Sequence, residues 1–287
     1  MSNKEGPLEY GLVADIPRTK AAYQQLLRFQ WEYFSELAFL RNQIYDSLKS
    51  SLAERTKPFS FTQWQRAVKY KYSLEPLSPK GSLADPGGRF NIGAIDTTRF
   101  TLFPGLYMAS DKETALAELL GRDDREKRLT PLDLALTKPD SVTMVSVSGM
   151  LESAIDLRAE DNLAPFVDLI KDFQLSRALT KKAKNFGPST ITLIRTPRLM
   201  AENLLAQNWR VWPMQYDVPA PSQIFGQIAM DAGIEGIVYG SVLTQQPCLA
   251  IFPQNFNNSS SFVELDDPLP SETVQRRIDS STFKDFA

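Results

Sequence analysis

The feature that most restricts the fold of this 287-residue chain is a change of hydrophobic period near Pro58. Before it, from residue 17 to about residue 57, apolar side chains recur at spacings of three, four and seven. Leu27, Trp31, Phe34 and Ala38 form one line, with Phe29, Leu37, Leu40, Ile44 and Leu48 beside it. That spacing predicts one bent helix or two, with Pro17 suited to a first helical turn. Beyond Pro58 the pattern breaks into short runs that read as strands at 106–109, 141–147, 190–196, 234–239 and 248–252. Helical patterns at 163–184, 197–207 and 222–232 lie between them, the last ended by Gly233. The order is mixed and no period repeats, so the pattern supports α+β rather than a doubly wound sheet. After Asn255 the chain turns to Asn-Asn-Ser-Ser-Ser and then Asp266-Asp267-Pro268-Leu269-Pro270, which reads as a polar surface tail. The predicted organisation is an N-terminal helical extension (1–57), a central domain (58–256) and the tail (257–287).

The aromatic loading of the N-terminal stretch requires a cover: the rest of this chain, or a partner or second copy. With 43% apolar residues the chain has ample material for a core. A net charge of -2 and a pI near 5.5 argue against general affinity for nucleic acid or anionic membrane. A single cysteine, Cys248, excludes an internal disulfide and suits a reducing compartment. There is no apolar stretch near the ~20 residues of a membrane span, and Met-Ser-Asn-Lys-Glu-Gly-Pro lacks the order of a signal peptide. A cytoplasmic location is expected.

The chain has no histidine. This removes the commonest general base, the Ser-His and Cys-His nucleophile pairs and most zinc sites, so no metal is expected. Chemistry has to run on Arg, Glu, Tyr and Ser. Gly87-Gly88 permits close backbone approach and Arg89 follows with a planar charged fork, a combination equally at home in a turn with a surface ion pair. Tyr107 falls in a predicted strand. Ser110 and Glu113 read as a capping box, predicting a helix from Asp111 to about Leu120, closed by Gly121. On it Ala115, Leu116, Leu119 and Leu120 make the expected buried stripe, with Glu118 at its margin, where a glutamate is usually solvated. Ser241 ends a strand; without a histidine or a nearby Ser-x-x-Lys pattern, a hydrogen-bonding role suits it better than nucleophilic attack.

Taken together, Gly87-Gly88-Arg89-Phe90-Asn91, Leu106-Tyr107-Met108-Ala109 with Glu113 to Glu118, and Gly236-Ile237-Val238-Tyr239-Gly240-Ser241 resemble the RES domain, named for arginine, glutamate and serine in that order. The resemblance spans roughly residues 58–256, the stretch 121–207 matching only in general character. It implies a split β core like that of ADP-ribosyltransferases, with flanking helices. It also implies a toxin of a bacterial toxin-antitoxin pair that degrades NAD+ by cleaving the nicotinamide-ribose bond, by hydrolysis or phosphorolysis. The named trio becomes Arg89, Glu118 and Ser241, with Tyr107 as the matching aromatic; Arg89, Tyr107, Asn91 and Ser241 are the expected substrate contacts. NAD+ is then a substrate, inorganic phosphate a co-substrate in phosphorolysis, and no cofactor is needed. The implied partner is a helix-turn-helix antitoxin, and the N-terminal helices are a candidate homo-oligomer surface. Phe90 departs from the family, which often has another aromatic there, so a hydroxyl role at that position has no carrier.

Two other readings stay open from sequence: ADP-ribosyl transfer to a protein, and a non-catalytic nucleotide-binding or interaction protein. The chemistry of the first reading suits the residues. Loss of nicotinamide leaves positive charge on the ribose, which a carboxylate stabilises, while nicotinamide departs neutral and needs no acid.

Overall fold

A computed structural model of the chain describes residues 16–120, 142–186, 191–268 and 270–286. The α-helices among them are α1 (Ile16–Gln43), α2 (Tyr45–Ala53), α3 (Lys112–Leu120), α4 (Ala164–Ile170), α5 (Arg177–Ala183), α6 (Pro197–Leu204), α7 (Val211–Tyr216) and α8 (Pro221–Asp231). The strands are β1 (Lys57–Lys69), β2 (Gly87–Gly88), β3 (Asn91–Ile92), β4 (Leu106–Ala109), β5 (Val142–Asp156), β6 (Gly236–Gly240), β7 (Pro247–Ile251), β8 (Phe262–Leu265) and β9 (Arg277–Ile278). The class is α+β, as the mixed order predicts. Among the described residues no helix is long and apolar enough to cross a membrane.

The chain divides into two compact units. One comprises Met1–Asn42 and Phe173–Leu193. In it Phe29 of α1 stacks with Tyr33 and packs on Phe186, ring centroids 5.1 Å apart. The Tyr33 hydroxyl donates to the Thr192 carbonyl at 2.8 Å, and Lys182 pairs with Glu32 at 2.6 Å. Tyr23 and Phe39 of α1 remain exposed.

The other unit, Gln43–Asp172 with Ile194–Ala287, holds the sheet. Its order is β1-β4-β7-β6-β5-β8-β9, and β1 also pairs with β5, so five strands close on themselves. The closure is uneven. β1 and β5 run antiparallel along nearly their whole length, whereas β1 meets β4 at the single position Gln65↔Ala109. β5 meets β6 in parallel only from Ala154 to Asp156. The core is therefore split into a long ribbon, extended by β8 and β9, and the compact trio β4-β7-β6. Apolar side chains fill both sides. Phe90, Phe103, Ile237 and Phe252 pack with Leu48 and Leu52 of α2, while Phe61, Leu106, Leu249, Val263 and Ile278 form a second cluster. α8 fastens the β2–β3 turn: Gln223 Nε2 donates to the carbonyls of Pro86, Gly88 and Asn91, and a Cβ at Gly226 would strike the Phe90 backbone.

The N-terminal stretch, predicted as one bent helix or two, is two, broken at Ile44. Other sequence expectations change. The predicted helix 163–184 is α4 and α5, because Ser176 caps a new helix by accepting the Leu179 N–H at 3.2 Å. Residues 191–196 of the predicted 190–196 strand are not a strand; Tyr33, rather than a neighbouring strand, satisfies the Thr192 backbone. The stretch after Asn255 is not a loose tail, since it supplies β8 and β9 to the sheet.

Candidate active site

The β2–β3 turn rests on glycine. Gly87 has φ +94°, and a Cβ there would come within 2.5 Å of the Asn91 carbonyl; one on Gly88 would strike the Tyr107 ring and hydroxyl. Asn91, fully buried, ties this turn to β4. Its Nδ2 donates to the carbonyls of Ser82 (2.8 Å) and Phe103 (2.9 Å), and its Oδ1 accepts from Gly88 N–H (2.9 Å) and the Tyr107 hydroxyl (2.8 Å). The Tyr107 oxygen in turn accepts the Phe90 N–H at 2.9 Å. Burial raises the Tyr107 pKa well above that of a free phenol, against the pull of the Phe90 N–H and the Arg89 charge. The phenol stays neutral at physiological pH.

Arg89, directly after that turn, is 8% exposed. Its Nη1 donates to the carbonyls of Ala206 (2.9 Å) and Leu204 (3.4 Å), and its guanidinium lies 5.9 Å from the Trp209 ring centroid. Among the described residues its Nε is buried without a hydrogen-bond partner. The guanidinium has more donors than the two carbonyls use and lines the cavity, so it is equipped for an acceptor from outside the chain.

Glu118 is carried by α3, whose cap is Asp111 rather than the predicted Ser110. Asp111 Oδ1 accepts the Thr114 N–H at 2.8 Å and Oδ2 accepts its hydroxyl at 2.9 Å. With that proton committed, Thr244 donates to Thr114 Oγ1 at 2.8 Å and ties α3 to the β6–β7 loop. The buried face of α3 is Thr114, Ala115 and Ala117, while Leu119 and Leu120, expected in the buried stripe, are exposed. This turns half-buried Glu118 toward the end of β6, where its Oε1 accepts the Ser241 hydroxyl at 2.7 Å. The same Ser241 oxygen accepts the N–H groups of Leu243 (3.1 Å) and Thr244 (3.2 Å). Gly121, the predicted end of the helix, lies outside the described residues.

A cavity of about 290 Å³ opens here, lined by Arg89, Tyr107, Glu118, Trp209, Arg210 and Tyr239 among others. Three sequence-predicted residues, Arg89, Tyr107 and Glu118, share its wall. Ser241 and Asn91, read as substrate contacts from sequence, are 1% and 0% exposed with their hydrogen-bonding capacity spent on the protein. They act from behind: Ser241 orients Glu118, and Asn91 holds the turn and Tyr107. Phe90 faces away and packs edge-on against Tyr239, centroids 5.0 Å apart.

Sequence reading missed Trp209 and Arg210, and also Arg66 of β1. Buried Arg66 donates to the carbonyls of Pro76 (2.7 Å), Tyr107 (2.8 Å) and Ser78 (2.9 Å), and burial brings its pKa down to about 10, leaving it charged at neutral pH. The one available signal for the first pair was an arginine beside two tryptophans in Trp209-Arg210-Val211-Trp212. Among the described residues the lining carries Arg66, Lys69, Lys71, Arg89 and Arg210 against a single carboxylate, Glu118. Such a wall favours an anionic ligand.

Comparison with known proteins places the chain in a family. The family model of the RES domain matches residues 63–271. A search of curated proteins gives no match. Among solved structures, the crystal structure of the M. tuberculosis MbcT-MbcA toxin-antitoxin complex is similar, with 11% identity, a TM-score of 0.42, and coverage of 84% of this chain and 96% of that chain.

Proposed function

The chain belongs to the RES domain family, and on that premise we propose that it is a toxin-like enzyme that degrades NAD+ by cleaving the nicotinamide-ribose bond. The observation that carries this reading is the Glu118 carboxylate, held by the Ser241 hydroxyl at 2.7 Å in the wall of an otherwise cationic cavity. The dinucleotide brings a positively charged nicotinamide ring and a pyrophosphate. Arg89, in the cavity wall, takes the pyrophosphate through its planar charged fork. Glu118 faces the ribose. As the C–N bond breaks, its electron pair leaves with neutral nicotinamide, and the carboxylate stabilises the cationic ribose that remains. Tyr107, kept neutral by burial, forms an aromatic wall. Water then captures the ribose to give ADP-ribose and a proton, or phosphate captures it to give the 1-phosphate. The partner implied by the family resemblance is a helix-turn-helix antitoxin that blocks the cavity.

The test is incubation of the folded, antitoxin-free protein with NAD+, with and without phosphate. Release of free nicotinamide is expected; intact NAD+ under both conditions would remove the reading. Glu118→Gln keeps the size of the side chain and removes its charge, so turnover should fall at least about 100-fold with an unchanged melting temperature.

A further inference from the structure

The segment after α6 does more than hold Arg89. Leu204 and Ala206 accept from Arg89 Nη1, and a few residues on the same segment presents Trp209 and Arg210 to the same cavity. The Trp209 ring is 3% exposed and carries two guanidinium neighbours, Arg89 at 5.9 Å and Arg210 at 4.6 Å from its centroid. Among the described residues neither arginine forms an ion pair with a carboxylate, and Arg210 lines the cavity with only part of its side chain exposed. Desolvation and then the like charge of Arg89 lower the Arg210 pKa, with Glu118 and Tyr107 acting in the other direction. The other cations of the wall are placed differently, Lys69 being exposed at the end of β1. Arg66 is spent on three backbone carbonyls, and Lys71 lies over the Tyr72 ring at 4.9 Å.

We infer that Arg210 and Arg89, spaced by the Trp209 indole, form a clamp for a pyrophosphate, and that Arg210 makes the site select dinucleotides over mononucleotides. Two like charges beside one ring repel when the cavity is empty. A ligand with two adjacent phosphates relieves that repulsion and gives each planar fork its own oxygens. A single phosphate satisfies Arg89, already anchored by its two carbonyls, and leaves Arg210 without a partner. Arg210 thus acts on specificity, apart from the bond-breaking group Glu118. The inference rests on the NAD+ reading for its substrate, but its test does not depend on turnover.

Binding of inorganic pyrophosphate to the full chain, measured by calorimetry, should be 1:1 and weaken about 10- to 100-fold in Arg210→Gln, as expected for loss of a charged hydrogen-bonding partner. Arg210→Lys, which keeps the charge without the fork, should fall between. In turnover, Arg210→Gln should lower kcat/KM for NAD+ at least about tenfold more than for nicotinamide mononucleotide, mainly through KM. Wild-type protein that does not bind pyrophosphate would overturn the clamp even if NAD+ were cleaved. Equal losses for both nucleotides would reduce Arg210 to a structural role. Pyrophosphate binding that depends on Arg210, without nicotinamide release, would keep the clamp and remove the proposed reaction.

Discussion

At the scale of single residues, Glu118 and Ser241 differ in kind although both belong to the family trio. Glu118 faces the cavity, while Ser241 spends its proton on Glu118 and both lone pairs on backbone N–H groups. Ser241→Ala removes the group that aims the carboxylate and leaves two N–H groups without an acceptor. It should therefore lower kcat about 10- to 100-fold with little change in KM and cost about 1 to 3 kcal/mol of stability. A variant with normal kcat and lowered stability would separate the serine from catalysis. Arg89, Tyr107 and Glu118 were singled out in sequence by the joined motifs that resemble the RES domain, since a glycine turn, a strand position and a helix margin taken singly did not mark a site. The role of Ser241 was not legible, because it depends on a contact across 123 positions that no local period encodes. Arg210 was less legible still: its one mark in sequence, a place between Trp209 and Trp212, does not by itself point to a cavity.

At the scale of elements, α3 is the lever that sets Glu118, and its fixed points are the Asp111 cap and the Thr114–Thr244 tie. Asp111→Ala should cost about 0.5 to 2 kcal/mol and reduce turnover together with amide protection along α3. Full activity after loss of the cap would show that the tie alone suffices. A second element prediction concerns the turn after β9. There the Asp279 carboxylate accepts from the Ser281 hydroxyl (2.6 Å), the Ser281 N–H (2.9 Å) and Arg277 Nε (2.9 Å), which brings its pKa down to about 2. The depressed value makes this stabilisation complete above the ordinary carboxylate pKa of about 3.9 and lost as pH falls toward about 2. Wild type and Asp279→Ala should differ in melting temperature at neutral pH and converge over that acid window; a constant difference would deny the charge a role. Helices and short strands near the site, β4 above all, were legible from period. The long β1 was not, because a bulge between Phe61 and Trp64 shifts its phase and polar residues interrupt its alternation.

At the scale of the molecule, the larger unit is completed by its last segment. Val263 of β8, Ile278 of β9 and Phe283 are buried in the second apolar cluster, and β8 pairs with the long β5 ribbon. Phe283→Ala should cost about 3 to 5 kcal/mol, read by chemical denaturation, and truncation after residue 271 should abolish a single cooperative transition. A truncated chain as stable as the whole would return these residues to the status of a polar tail. Composition hid the role of this segment, since a few buried side chains among many serines and aspartates matter only once β5 is there to receive them. The same long-range assembly bears on how the protein is made. Arg89, Tyr107 and Glu118 leave the ribosome first, but Arg89 leans on carbonyls at Leu204 and Ala206, and Glu118 is aimed by Ser241. The candidate site is thus incomplete until residues 204 to 241 have been made. A nascent chain that stops short of Ser241 therefore presents Arg89, Tyr107 and Glu118 without the contacts that hold them, and the order of synthesis alone keeps the cavity unformed until its supports arrive.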